Sequence, residues 1–248
     1  MPAFLLNRGL LAIAIMSIAA TGAWADSAPS PDGALMLLKE GNDRYVSGKS
    51  THPRQDAARR GEVAKGQNPF AVILSCSDSR EPVELIFDQG IGDLFIVRIA
   101  GNVADTDEIG SIEYGAGHLK SPLVVVLGHT KCGAVTAVVK GEKVHGSIPK
   151  LVDNIIPAAK KAKAAKLDAK STDEVVAEAI KTNVFQSIED LLKKSGEVAE
   201  LMKKGELKVI GAVYDIESGK IEWLGPHPEQ ARFLTQGRKE SGKGHAEH

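Results

Sequence analysis

Three short apolar runs mark the first half of the chain: Phe70–Leu74, Leu94–Ile99 and Leu123–Leu127. None alternates with polar residues, so each reads as a strand covered on both faces, the pattern of a buried parallel sheet. Between them the period changes. Pro82–Phe87 and Thr106–Leu119 read as helices, with Asp107 and Glu108 favouring the N-terminal end of the second. Gly133–Val139 opens another helix. Ile148–Lys170 is rich in Ala and Lys and predicts helix, with Lys160–Lys166 as a solvated basic face. Asp173–Leu192 predicts a long amphipathic helix. Leu207–Ile216 and Lys220–Leu224 predict two strands joined at Glu217-Ser218-Gly219, a hairpin signal. Upstream, Asp32–Val46 spaces Leu35, Leu37, Leu38 and Tyr45 as a helix, with Asp32 as N-cap and Gly48 as stop. Its apolar face is expected to dock on a partner subunit. Strands alternating with helices predict an α/β fold in a single domain. The sheet is mostly parallel and flanked by helices, with an N-terminal helical arm and an antiparallel edge hairpin. No internal repeat is visible.

The first 25 residues follow a different pattern. Arg8 precedes an apolar stretch, Gly9–Ala20, and Ala23-Trp24-Ala25 reads as a small-x-small cleavage site. Residues 1–25 are therefore expected to be a secretory signal peptide cut before Asp26. The alternative is an uncleaved membrane anchor, but a span needs about 20 apolar residues and this stretch is shorter. The catalytic domain is expected over residues 26–236. The polar tail 237–248 is expected to be disordered, with His245 and His248 solvated. The formal charge is -1 from 31 basic and 32 acidic residues, and loss of Arg8 makes it -2. Such a balance suggests no nucleic-acid partner. The mature protein is expected to be exported, free of the membrane and periplasmic.

The chemistry gathers at strand ends. Cys76 opens Cys76-Ser77-Asp78-Ser79-Arg80 just after the first run, and His129-Thr130-Lys131-Cys132-Gly133 follows the third. Open α/β sheets bind ligands beyond the carboxyl ends of their strands. Two thiols and one imidazole there make a three-ligand site suited to zinc, with the open position of a catalytic centre. His129 and Cys132 lie three apart at the start of a helix, whose N-terminus favours a thiolate. Gly128 and Gly133 allow close backbone approach. Export keeps a competing reading open, because two cysteines in an oxidising compartment default to a disulfide. Asp78 also has two readings: a fourth zinc ligand, or the ion-pair partner of Arg80, held off the metal to orient a zinc-bound water.

Taken together, these residues resemble the beta-class carbonic anhydrase family. The resemblance rests on Cys76-Ser77-Asp78-Ser79-Arg80, Gly92-Asp93-Leu94-Phe95-Ile96-Val97-Arg98, Ala100-Gly101-Asn102, Ser111-Ile112-Glu113-Tyr114 and Gly128-His129-Thr130-Lys131-Cys132-Gly133-Ala134, in the family's order and spacing. It covers roughly Asp32–Leu224. The resemblance implies reversible hydration of carbon dioxide to bicarbonate and a proton, by attack of a zinc-bound hydroxide. It implies one zinc per chain on Cys76, His129 and Cys132, with Asp78 and Arg80 as the catalytic pair beside it. It further implies that Gln67 donates a hydrogen bond to substrate, that Phe95 and Tyr114 line an apolar pocket shared across a dimer, and that the backbone at Gly133 approaches substrate. The partner implied is a second copy, in a homodimer or a multiple of dimers.

One subtype of the family has a bicarbonate-controlled off state. It carries a tryptophan and an apolar residue where this chain has Ile73 and Glu81. Arg98 is retained, but no switch of that kind is expected here. A pH-driven opening of the Asp78–Arg80 pair remains open. Two other functions stay in view: hydrolysis of carbon disulfide or carbonyl sulfide at the same zinc site, and a disulfide-stabilised binding module. A proton shuttle is not evident; His118, His145 and His227 qualify by type alone and read as surface or packed histidines.

Overall fold

The computed structural model describes residues 29–236, so the expected signal peptide and the tail from Gly237 lie outside the described residues. Five strands form one sheet in the order β2-β1-β3-β4-β5. They are β1 (Ala71–Ser75), β2 (Leu94–Arg98), β3 (Leu123–His129), β4 (Lys208–Tyr214) and β5 (Ile221–Gly225). The first four pair in parallel, and β5 closes the far edge antiparallel to β4. Every residue of β1 and β3 is buried, as two-sided apolar runs require. Alternate residues feed separate cores: Val72, Leu74, Val124 and Val126 face one, Ile73, Leu123, Val125 and Leu127 the other.

Among the described residues, ten α-helices accompany the sheet: α1 (Pro31–Val46), α2 (Ala57–Val63), α3 (Val83–Ile86), α4 (Thr106–Glu113), α5 (Gly133–Lys140), α6 (Ile148–Asp153), α7 (Ile156–Ala165), α8 (Thr172–Lys194), α9 (Gly196–Lys203) and α10 (Gln230–Gln236). Several boundaries differ from the sequence reading. Ser30, not Asp32, caps α1: its hydroxyl accepts from Gly33 N at 3.1 Å. Pro31 takes the first helical position, where its missing N–H costs nothing, so the cap must precede it. Asp32 instead pairs with Lys208. The expected helix Ile148–Lys170 is broken in two, with Pro157 at the start of α7. The basic face of α7 is partly paired to α8, through Lys161 with Glu189 and Lys166 with Glu178.

The helix expected over Thr106–Leu119 changes to a π-turn at Tyr114–His118. A Cβ on Gly115 would lie 2.6 Å from Val72 Cγ2, so the close approach of the π-turn to the sheet needs a glycine here. The π-turn carries Tyr114 against Phe95, with ring centres 5.9 Å apart.

One side of α1 docks within its own chain, while Leu35, Leu37 and Tyr45 stay half-buried and Met36 is exposed. Ala34, Leu38, Gly41 and Asn42 are buried. Asn42 donates to Ile86 O (3.2 Å) and Gly219 O (2.9 Å) and accepts from Ile221 N (3.1 Å). Nearby, the fully buried Asp88 carboxylate accepts from Arg44 Nε (2.6 Å), His52 N (2.9 Å), and the Thr51 backbone and hydroxyl. Burial opposes ionisation there, but these donors outweigh it and hold Asp88 at about 2, below its ordinary 3.8. A depressed carboxyl contributes stability in full above its unfolded pKa and loses it as the pH falls through the folded one. Asp88→Asn is therefore expected to cost about 2 kcal/mol at pH 7, at about 1.36 kcal/mol per pKa unit. The deficit, read from denaturant unfolding, should shrink as pH is lowered from about 4 toward 2. An equal deficit at every pH would assign Asp88 a role independent of its charge.

Candidate metal centre

β1 and β3 are neighbours, with Ser75 level with Leu127, so the residues just beyond their carboxyl ends meet. Cys76 follows β1, His129 ends β3, and Cys132 caps α5. Their ligand atoms all lie within 4.8 Å of one another, and all three side chains are buried. The two cysteines are free rather than bonded to each other. The imidazole is oriented for ligation. Its Nδ1 lies 2.9 Å from Thr130 O and donates to it, which leaves Nε2 as a bare lone pair. Nε2 is buried without a hydrogen-bond partner. An orphaned buried nitrogen beside two sulfurs is a donor set that fits zinc.

The protons on these groups are arranged for the same purpose. The Cys76 thiol is pulled down to about 4, first by the hydrogen bond from Cys132, against burial, and then by Gly101 N. Cys132 is pushed up because it holds the shared proton beside that thiolate. A divalent cation held by Cys76, His129 and Cys132 would displace the proton shared between the two sulfurs.

Asp78 sits beside the cluster, its Oδ2 3.7 Å from His129 Nε2. Arg80 grips it bidentately, Nε to Oδ1 at 2.9 Å and Nη2 to Oδ2 at 2.7 Å, and Arg80 N adds a bond to Oδ1 at 2.9 Å. The Arg80 hydrogen bonds hold the Asp78 carboxyl well below the usual carboxylate range. Of the two readings of Asp78, the structure contains the ion pair. Arg80 Nη2 also reaches Lys131 O at 3.4 Å, where Lys131 takes a left-handed backbone (φ 58°).

Other groups around the centre were not legible as such. Gly101 N donates to Cys76 Sγ at 3.3 Å. Gly101 has φ +78°, and a Cβ there would lie 2.6 Å from Ile155, so the Ala100-Gly101-Asn102 motif marks a position open to glycine alone. Glu81 is fully buried, and burial pushes its carboxyl up to about 8. Gly128 is pressed against α8, 2.8 Å from Val184 by its virtual Cβ, whereas Gly133 faces open space.

The remaining predicted substrate residues do not join this cluster. Gln67 is exposed in the loop before β1, and Phe95 pairs with Val72 near the start of the strands. Val72 and Cys76 are four residues apart, about 13 Å along a strand. Gln67, Phe95 and Tyr114 therefore lie at the opposite sheet edge from Cys76. Among the histidines considered as shuttles, His118 stacks on Tyr114 (4.9 Å between centres) and His227 is wedged between Phe185 and Phe233. His145 is exposed.

A parallel α/β sheet with a buried thiolate–imidazole cluster at its carboxyl edge defines a class of metal-centred enzyme. The carbonic anhydrase family model matches residues 71–221. Carbonic anhydrase 2 of Mycobacterium tuberculosis is 38% identical over 195 residues, covering 77% of this chain and 91% of that protein. The crystal structure of the beta-carbonic anhydrase CafA of Aspergillus fumigatus aligns with TM-score 0.67 and 30% identity, over 84% of this chain and 99% of that one. A tetrameric beta-carbonic anhydrase of Sordaria macrospora aligns with TM-score 0.63 and 26% identity, over 77% of this chain and 97% of that one. The chain belongs to the carbonic anhydrase family, in its beta class, and is an enzyme of that family. These relatives do not favour carbon disulfide or carbonyl sulfide hydrolysis, or a binding module.

Proposed function

We propose that the protein catalyses reversible hydration of carbon dioxide at one zinc per chain, held by Cys76, His129 and Cys132. The observation that carries this reading is the bare, buried Nε2 of His129 aimed among two sulfurs and Asp78. When bound there, zinc supplies the Lewis acidity that makes water a nucleophile near neutral pH. The chain supplies the rest. Asp78 stays ionised under the grip of Arg80 and offers a fixed acceptor, which orients the attacking group toward the carbon. The open space before Gly133 leaves room for the substrate.

The apolar wall comes from a second copy. Gln67, Phe95 and Tyr114 are too far along the strands to serve their own metal centre. β2 is an edge strand whose apolar residues Leu94, Phe95, Ile96 and Val97 are each only half-buried. Such an edge calls for cover. A homodimer, or a multiple of dimers, covers it and brings these residues to a partner's site. An apolar wall suits carbon dioxide, which offers no charge to grip. The signal-like pattern of Arg8, Gly9–Ala20 and Ala23-Trp24-Ala25 supports a periplasmic location.

The test joins metal analysis to a stopped-flow indicator assay on purified protein. Near one zinc per chain, hydration well above the buffer rate, and sedimentation as a dimer or its multiple are expected. Zinc-loaded protein no faster than buffer would overturn the proposal, and a faster reaction with carbonyl sulfide or carbon disulfide would redirect it.

A further inference from the structure

The loop from Cys76 to Pro82 joins β1 to α3 without regular secondary structure, yet it carries one metal-binding sulfur and Asp78. Side chains must therefore hold its peptides in place. Glu81, fully buried, folds back so that its Oε2 accepts from Cys76 N at 3.1 Å. From β2, Arg98 donates Nε to Cys76 O at 2.9 Å and Nη2 to Asp78 O at 2.7 Å. Glu81 N also donates to Asp78 O at 3.0 Å. Both flanking peptides of Cys76 are thus held by a carboxyl group on one side and a guanidinium on the other. An ordinary core position would take an apolar residue at 81. A buried carboxyl with Oε1 lacking a partner is costly and calls for a reason.

We infer that Glu81 and Arg98 are positioning residues that clamp the Cys76 peptides, and so aim its sulfur at the metal and Asp78 at the reacting group. The inference rests on the metal-centre reading above. Neither residue touches the ligand atoms; both act through the backbone of residues 76 and 78. Glu81→Leu keeps roughly the size and removes the acceptor. Glu81→Gln keeps the size and an acceptor oxygen for Cys76 N. Arg98→Lys keeps the charge but cannot bridge two carbonyls.

The experiment measures zinc affinity by competition with a chromophoric chelator, and the thiolate-to-metal absorption of the cobalt(II)-loaded protein. Removing a partner that orients a ligand typically costs about ten- to a hundredfold in affinity. Glu81→Leu and Arg98→Lys are expected to weaken zinc binding by about that factor and to shift the cobalt bands. Glu81→Gln should recover most of the affinity and the wild-type spectrum. Unchanged affinity and spectrum in folded Glu81→Leu, or a loss in Glu81→Gln as large as in Glu81→Leu, would overturn the inference. If Glu81→Leu does not fold, Arg98→Lys decides alone, and a wild-type spectrum there overturns it. Failure of the wild-type protein to bind either metal would sink the metal centre instead, so the two failures are distinguishable.

Discussion

Cys76→Ser is expected to strip the protein of zinc and with it of activity. Metal content should fall from near one per chain to below about a tenth after dialysis, and hydration to the buffer rate. Serine keeps the shape and can still accept from Gly101 N, but its hydroxyl does not ionise to a ligand near neutral pH. Two protein ligands then remain where three converge. Four-ligand structural zinc sites bind with about 10–16 kcal/mol, so one ligand carries roughly 2.5–4 kcal/mol and its loss weakens binding by about two to three orders of magnitude. The disulfide reading makes the opposite forecast: Cys76→Ser would lower stability and leave no metal to lose. A thiol count in denatured, chelated wild-type protein separates the two. Two free thiols per chain agree with the free cysteines of the structure; none would mean that the sulfurs are bonded in solution. Circular dichroism of the variant confirms that zinc is lost from a folded chain. Full zinc retention would show that Cys76 is not a ligand.

The sheet and the candidate metal ligands were legible for one reason: two-sided apolar runs announce parallel strands, and parallel strands announce where chemistry sits. Cys76 and His129 each follow such a run, so strand direction alone brings them to one edge. The same rule placed Gln67 and Phe95 at the other edge, since one precedes its strand and the other sits near the start. Motif resemblance suggested a substrate role for them, and the register places Phe95 level with Val72, about 13 Å along the strand from Cys76. Local chemistry was harder to read. Pro31 and Pro157 moved helix boundaries because a missing N–H is harmless only in the first turn. Ser195 ends α8 and also caps α9, accepting from Val198 N at 3.1 Å, a helix that the sequence reading left unassigned. Glu81 stood out only as a departure from a subtype's apolar residue, and its contact with Cys76 gave no signal. Its hydrogen bond to Cys76 N depends on a loop with no periodicity, and an isolated glutamate in a sequence reads as solvated.

Asp78→Ala is expected to separate catalysis from metal binding. Turnover should fall by about 10²–10³-fold, within the range for a positioned proton-handling or charge-orienting group, while zinc content stays near one per chain. The separation follows from geometry. Asp78 is committed to Arg80 by two side-chain contacts of 2.9 and 2.7 Å, and it lies beside His129 Nε2 at 3.7 Å without belonging to the ligand set. Its carboxyl is held well below the ordinary range, so it stays ionised throughout the working pH range, and its removal should leave the basic limb of the pH–rate profile in place. Asp78→Asn is the sharper companion. It keeps the side-chain size but loses the charge that holds Arg80, so a comparable loss in both variants assigns the effect to the charged pair. If zinc content falls in step with turnover, Asp78 is a ligand or a structural prop, and the fixed acceptor disappears from the mechanism. If neither falls, the centre orients its nucleophile without Asp78, and the Asp78–Arg80 pair is an ordinary salt bridge at the rim of the site.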